Sequence, residues 1–449
     1  MNQQHRMRPL ALAVCAVLGL AGSACAIAQT PQELETRIQQ LEAQIKELKA
    51  LVEAQSKPVA AAPAPAAAPG APPPPPPIQA TTITPNSPPG TKFSFTGFIK
   101  TDAMYSSYSD GEIADGSIGR DFYVPGTIPV GGADEGADLD AHVKQSRFIF
   151  GTDTTTADNK LIQTRLEFDL FGSALGDERI TNTYGLQLRH AYLNYNNQWL
   201  IGETWSNFQD VGALPEAVDF IGPVEGTVFV RQPQLRYTSG PISVSLENPE
   251  TTITPFRGGA RISSDDNNLP DLSLRYTHKW ATGSYITAAG LLRQLAYETT
   301  GANGVDDSTI AAAFSISGKV MFGKDDLRWM INTGALGRYT GLNLNNDAVL
   351  DASGDLDAIS GTAGFIGFRH LFNDQLRSNI YYARAEYDND TALGGTAQTE
   401  STQSLHLNLF YSPIPKWDVG AELTFAKREL ESGAEGKLRR LQATVKYAF

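Results

Sequence analysis

The sequence predicts an all-β transmembrane barrel of about 16 antiparallel strands with an N-terminal α-helical coiled coil. Three observations carry that prediction. Runs of about ten residues alternate apolar and polar side chains through most of the chain. The segments joining these runs are some short, others long and polar. A separate heptad seam stands near the N-terminus, cut off from the alternating runs by a proline-rich stretch.

Bulk composition agrees. The chain has 449 residues, 41% of them apolar, and a formal net charge of −13. The acidic balance and the lack of dense Lys or Arg runs exclude nucleic acid as an expected partner. Residues 1–28 read as a secretory signal peptide. Arg6 and Arg8 precede the apolar run 10–21, which is too short to span a bilayer comfortably, and small residues follow. Cleavage is expected after Ala28. Both cysteines, Cys15 and Cys25, fall in this segment, so the mature chain is expected to hold no disulfide and no Cys-based metal site. Lipidation at Cys25 is the alternative, but the preceding "GSA" lacks the expected aliphatic residue. A large exported chain without cysteine fits the envelope of a Gram-negative bacterium. A soluble periplasmic protein is the other option.

Residues 29–57 carry the seam. Leu34, Ile38, Leu41, Ile45, Leu48 and Val52 recur at alternating spacings of four and three. Ile38, Ile45 and Val52 then occupy a positions and the leucines d positions, a pattern that by itself favours two strands. The hexapeptide "RIQQLE" shifts the balance. It places Arg37 at g, Ile38 at a, Leu41 at d and Glu42 at e, and resembles a trimerisation pattern in which the g arginine pairs with the e glutamate of a neighbouring helix. The expectation is a three-helix coil about 30 Å long in the periplasm. A single helix docked on its own domain is the alternative. Residues 58–91, with "PVAAAPAPAAAPGAPPPPPP", cannot bury a core. They predict an extended spacer rising about 3.1 Å per residue where it is polyproline II.

Residues 92–449 are assigned to the barrel. In "KLIQTRLEFDL", Ile162, Leu166, Phe168 and Leu170 share one face, and Gln163, Arg165, Glu167 and Asp169 the other. "SLHLNLFYS", "LSLRY", "PISVSLE" and the terminal "LQATVKYAF" alternate in the same way. Such a pattern suits a soluble sandwich or a membrane barrel. Arg, Glu and Asp directly opposite strongly apolar faces, as a watery lumen requires, decide for the barrel. So does the apolar residue at every second place back from Phe449, which resembles the terminal assembly signal of outer-membrane barrels. "NDQ" and "SPIPK" read as short turns on one side, and the long segments 109–140 and 341–361 as loops on the other. At about 20 to 24 residues per strand and loop, the segment gives 16 strands, with 18 as the alternative. A barrel of that size leaves an aqueous channel.

Setting apolar residues toward lipid places Arg165, Arg189, Arg275 and Arg440 in the lumen. Arg147 joins them if Phe148 and Phe150 face lipid. Arg293 and Arg377 stand in less regular runs. A charged residue on the lipid face costs about 2–4 kcal/mol at the midplane, so mid-strand arginines are expected to point inward. An arginine-lined pore favours anions, and the guanidinium fork matches carboxylates. The alternative is that these arginines merely pair across the lumen with Glu167, Asp169, Glu247 and Glu422. One segment breaks the alternation, "ETWSNFQDVGALPEAVDFIGPVEGTVFVRQPQLRY", after about the fifth strand. It mixes Asp210, Glu216 and Asp219 with Trp205, Phe208 and Phe220. The expectation is a constriction loop folded into the barrel, its acids facing Arg231, Arg236 and the strand arginines. An external loop packed on a neighbouring subunit is the alternative. No HExxH, Walker A or metal-ligand spacing is present, and "DASGDLD" (351–357) lacks the sixth-position glycine and distal glutamate of a calcium loop. No catalytic residue and no cofactor or metal is expected.

Taken in order, the signal, coiled coil, Pro/Ala-rich linker, "FSFTGFIKTDAMY", "LRHAYLNY", "IGETWSNFQD", "RQPQLRY", "LNLFYSPIPKWDVGAEL" and "YAF" resemble the DcaP-like porins of Gram-negative outer membranes. The resemblance covers nearly the whole chain, and the span from "GETWSNFQD" to "RQPQLRY" is its most specific part. It implies a homotrimer of 16-stranded barrels with a periplasmic N-terminal extension. It also implies uptake of small anionic solutes, with dicarboxylates as the suggested substrates, and pore arginines at Arg231 and Arg236. Outer-membrane lipids and lipopolysaccharide are then expected neighbours, and peptidoglycan is a candidate partner of the extension. A second hypothesis makes the barrel an anchor and the coiled coil an envelope tether. A third, a barrel hydrolase with a Ser–His pair, has no spacing that singles out one histidine.

Overall fold

The computed structural model describes residues 90–174, 184–300 and 304–449. The expected signal peptide, the coiled coil with Arg37, Ile38, Leu41, Glu42, Ile45 and Leu48, and the linker as far as residue 89 lie outside the described residues.

The regular secondary structure of the described chain is almost entirely strand. In order these are β1 (Thr91–Tyr108), β2 (Ala137–His142), β3 (Arg147–Thr155), β4 (Leu161–Ala174), β5 (Tyr184–Tyr195), β6 (Trp199–Trp205) and β7 (Arg231–Ser239). Next come β8 (Ile242–Glu247), β9 (Thr251–Thr254), β10 (Ile262–Ser264), β11 (Asp271–Lys279), β12 (Tyr285–Glu298), β13 (Asp306–Phe322) and β14 (Asp325–Gly334). The last are β15 (Ala348–Leu350), β16 (Leu356–Ala358), β17 (Gly361–Leu371), β18 (Leu376–Tyr387), β19 (Thr399–Tyr411), β20 (Trp417–Leu430) and β21 (Glu435–Ala448).

The main sheet has 17 segments, but β2 and β3 form one wall strand, since both pair with the same edge of β1. The wall therefore has 16 strands, the number the sequence predicts. Between β2 and β3 the Ser146 hydroxyl replaces ladder bonds, accepting from the Lys100 N–H at 3.0 Å. Each wall strand pairs antiparallel with its neighbour, and β1 meets β21 to close the barrel. Closure leaves no strand at a sheet edge, which is what the bilayer demands of a spanning β structure.

The alternation settles which residues face out. Leu166 of β4, Val244 and Leu246 of β8, Leu274 of β11, Leu407 of β19 and Leu441 of β21 are all exposed on the outer wall. Connections at one end are only two to five residues long, as at 240–241, 323–324 and 412–416, while those at the other end include 109–136, 206–230, 248–270 and 335–360. Near the short-turn end Tyr195, Trp199, Tyr237, Trp280, Phe372, Trp417 and Tyr447 are all exposed. This is the aromatic girdle that seats a barrel at a membrane interface. The inner face is not uniformly polar, as simple alternation implies. Ala313, Ala363, Ala383 and Ala385 point inward and are buried with Phe208, Val228 and Tyr339. These small wall residues make room for the long loops, which fold into the barrel and pack there. A second small sheet, ordered β10-β9-β15-β16, ties loop 248–270 to loop 335–360.

Candidate functional site

Loop 206–230 follows the fifth wall strand and turns inward, as the sequence predicts. It is held from strand to strand by inward-facing donors. Arg236 of β7 donates to the Trp205 carbonyl at the loop's root (2.5 Å), Arg275 of β11 to Gln209 (2.7 Å), Arg328 of β14 to Leu214 (2.5 Å) and Lys100 of β1 to Val218 (2.7 Å). Arg377 of β18 grips the Glu216 carboxylate through Nε and Nη2 at 2.7 and 2.5 Å. Four of these five donors reach neutral carbonyls of the loop, while Lys100, Arg275 and Arg328 also pair with Asp102, Asp210 and Asp326. Beneath it a cavity of about 550 Å³, lined by Asp210, Ser243, Arg275, Thr277, Lys279 and Tyr285, reaches the short turn 240–241.

The three loop acids have separate duties. Asp210 pairs with Arg275 at 3.2 Å and accepts from Ser317 at 2.8 Å. Glu216 pairs with Arg377. Asp219 accepts from backbone N–H groups, Tyr123 at 2.9 Å among them, and so fastens loop 109–136 to loop 206–230. None of the three faces Arg231 or Arg236, contrary to expectation.

On β3, β4 and β5, which lie between β1 and β7 in the wall, Arg147, Arg165 and Arg189 converge on Glu167 at 3.3, 2.5 and 3.0 Å, and Arg189 also reaches Asp169 at 2.8 Å. Arg189 and His190 are both buried on the inner side because a bulge interrupts the pairing of β4 and β5 at this point. A bulge admits one extra residue and re-aims its side chain. Across these groups the cations exceed the acids. Three arginines share Glu167 and Asp169, and Arg328 and Arg369 share Asp326 at 2.7 and 2.6 Å. Arg236 has no carboxylate within ion-pair reach among the described residues.

Arg231 differs from the other expected pore arginines. Gln232 and Gln234 are buried inward, Leu235 and Tyr237 are exposed outward, and Arg231 shares the outward parity. Its guanidinium lies 5.1 Å over the Trp205 ring and donates to the Leu188 carbonyl at 3.4 Å. The parity rule would have found this, since it is the same rule that placed Arg165. The proline at 233 and the motif's two arginines drew attention from it.

Four charged residues outside the expected set also matter. Arg328 and Arg369 stand at inward parity in their strands, so alternation could have found them. Arg338 and Asp347 lie in loops, where no periodic signal exists. These two complete a buried network in which Arg293 contacts Asp347 at 2.5 Å and Asp271 at 3.2 Å, and Arg338 reaches Asp271 at 2.9 Å. Tyr339 donates to Asp271 at 2.8 Å. Elsewhere in the inward loop, Glu225 is fully buried and neither carboxylate oxygen has a hydrogen-bond partner among the described residues. Burial pushes this carboxyl above its ordinary value. A raised carboxyl stabilises the fold least once pH exceeds its folded value. Glu225→Gln is therefore expected to raise the thermal midpoint at neutral pH, with the gain vanishing near pH 4. An equal shift of the midpoint at both pH values would refute it.

A family model described as "DcaP outer membrane protein" matches residues 78–449. The chain belongs to the DcaP outer membrane protein family. Membership places it in the outer membrane, with the short turns on the periplasmic side. Among solved structures, the outer membrane channel DcaP of Acinetobacter baumannii is 22% identical over 81% of this chain and 99% of its own, with a TM-score of 0.65. That match shows the shared fold. OmpF of Salmonella typhi, in complex with daunomycin, is 14% identical over 80% of this chain and 98% of its own, at a TM-score of 0.49. A loop-deletion mutant of OmpT from Vibrio cholerae is 14% identical over 80% and 100%, at 0.48. A search of curated proteins found no match.

Proposed function

We propose that this DcaP-family barrel is an outer-membrane porin through which small anions, dicarboxylates among them, diffuse in preference to cations. One observation carries the reading: the inward loop is clamped by Arg236, Arg275, Arg328 and Arg377 from four wall strands. Of these, Arg236 has no carboxylate within ion-pair reach among the described residues, and Arg328 shares its one partner, Asp326, with Arg369. Fixed guanidinium groups at a narrowing lower the barrier for an anion and raise it for a cation. The overall −13 does not oppose this, because loop 109–136 alone carries Asp110, Glu112, Asp115, Asp121, Asp134 and Glu135.

The test is the reversal potential of the purified protein in planar bilayers under a salt gradient. An anion-selective potential is expected, weakened in Arg236→Gln/Arg275→Gln. An anion passing about 8 Å from one charge in a water-like medium gains about 0.5 kcal/mol and a cation loses as much, so each arginine lost costs about a factor of six in the permeability ratio. A closed pore or clear cation preference in the wild type would sink the reading. In this proposal the mature protein is a homotrimer. Its N-terminal extension lies in the periplasm, where residues 29–57 form the three-helix coil. The intact protein is expected to have the mass of three chains in mild detergent; a monomer or dimer would overturn this part.

A further inference from the structure

The barrel wall is incomplete between β5 and β6. β5 runs from Tyr184 to Tyr195, yet only its residues 191–195 pair with β6, which has just seven residues. Above that point the strands part, and a cavity of about 310 Å³ occupies the cleft. Phe122, Phe171, Phe220 and Phe229 give it aromatic walls, and Arg231 and Glu203 stand at its outward side. Behind Phe229 lies Trp205, with Arg231 at 5.1 Å and Arg189 at 5.7 Å from its ring. Arg231 makes one long hydrogen bond, to the Leu188 carbonyl at 3.4 Å, and has no carboxylate within ion-pair reach among the described residues.

From this geometry we infer that the cleft binds a small amphipathic monocarboxylate, one with an aromatic or short alkyl body. The Arg231 guanidinium receives the carboxylate in a charge-assisted, two-pronged contact. The body displaces water from the phenylalanine walls, the usual arrangement of an apolar pocket with one orienting polar group. The volume limits the ligand to the small end of such sites. Glu203 sets the specificity, since a second carboxylate on the ligand would face it and be repelled. The site is thus distinct in place and preference from the clamp proposed above to pass dicarboxylates, and it does not depend on that reading.

Calorimetric titration of the intact, detergent-solubilised protein with phenylacetate tests the site, with 2-phenylethanol as the uncharged analogue and phthalate as the dianion. Phenylacetate is expected to bind about ten-fold more tightly than either. Arg231→Gln should lose that advantage, Arg231→Lys should keep part of it, and Glu203→Gln should admit phthalate. Heat-shifted gel mobility verifies that each variant is a folded barrel. Equal binding of phenylacetate and phenylethanol, unchanged phenylacetate binding in Arg231→Gln, or no binding to the wild type would overturn the inference.

Discussion

Replacing Arg293 by alanine is expected to cost about 3–5 kcal/mol of stability, the largest effect of any single substitution proposed for this chain. Arg293 is almost fully buried, and its two carboxylate partners, Asp271 and Asp347, are buried completely. Truncation leaves both acids without their main cation, with Arg338 reaching only Asp271. Asp347 also accepts from the backbone N–H groups of Thr252 and Arg338, so the disturbance reaches loops 248–270 and 335–360 together. The measurement is the urea midpoint for loss of the folded band in detergent. Removing all four charges at once, by Arg293→Met and Arg338→Met with Asp271→Asn and Asp347→Asn, should recover much of the loss. Breaking a buried ion pair is costly, while replacing the whole set is often near neutral. A loss under about 1 kcal/mol in Arg293→Ala would refute the anchoring role.

Gly226→Val is expected to push loop 206–230 away from the wall and widen the constriction. A Cβ at this position would collide with the backbone carbonyl of Gly364 in β17, an atom that cannot rotate out of the way. Valine adds two methyl groups to the same clash. Overpacking of this kind costs about 1–3 kcal/mol, and the loop is the softer of the two elements. Higher single-channel conductance with weaker anion preference is the expected result. Gly126→Ala serves as control, because its Cβ would meet only Leu344 Cδ1 at an ordinary 3.5 Å. Unchanged conductance in a folded Gly226→Val barrel would show that the loop does not narrow the pore.

The sequence made the wall legible because a barrel strand has one environment on each side. Lipid outside and loops or water inside force a period of two, so Leu405, Leu407 and Leu409 could be set outward and Arg165, Arg275 and Arg440 inward without coordinates. The same logic found the loop that enters the barrel. A segment carrying Phe208 and Phe220 beside Asp210 and Asp219 has too much apolar surface for water and too many acids for lipid.

Partners across the lumen were not legible, because they depend on strand register and loop path. Glu216 meets Arg377 across 161 positions of sequence, and Asp219 serves amide groups of another loop instead of an arginine. The inward alanines carry no polar signal in the sequence and are the seats of those loops. Arg231 could be mistaken for a pore residue because the family resemblance set both motif arginines in the pore, although Leu235 and Tyr237 give it outward parity.

The sequence by itself therefore narrowed the strand number to 16 or 18 and determined the outward faces and the presence of an inward loop, since local alternation is enforced by the two environments at every position. Only the tertiary structure decided which charges are paired, that a bulge sets His190 beside Arg189 on the inner side, and that Arg231 stands in a cleft of the wall. Those outcomes rest on contacts between residues far apart in the chain, and no short-range pattern records them.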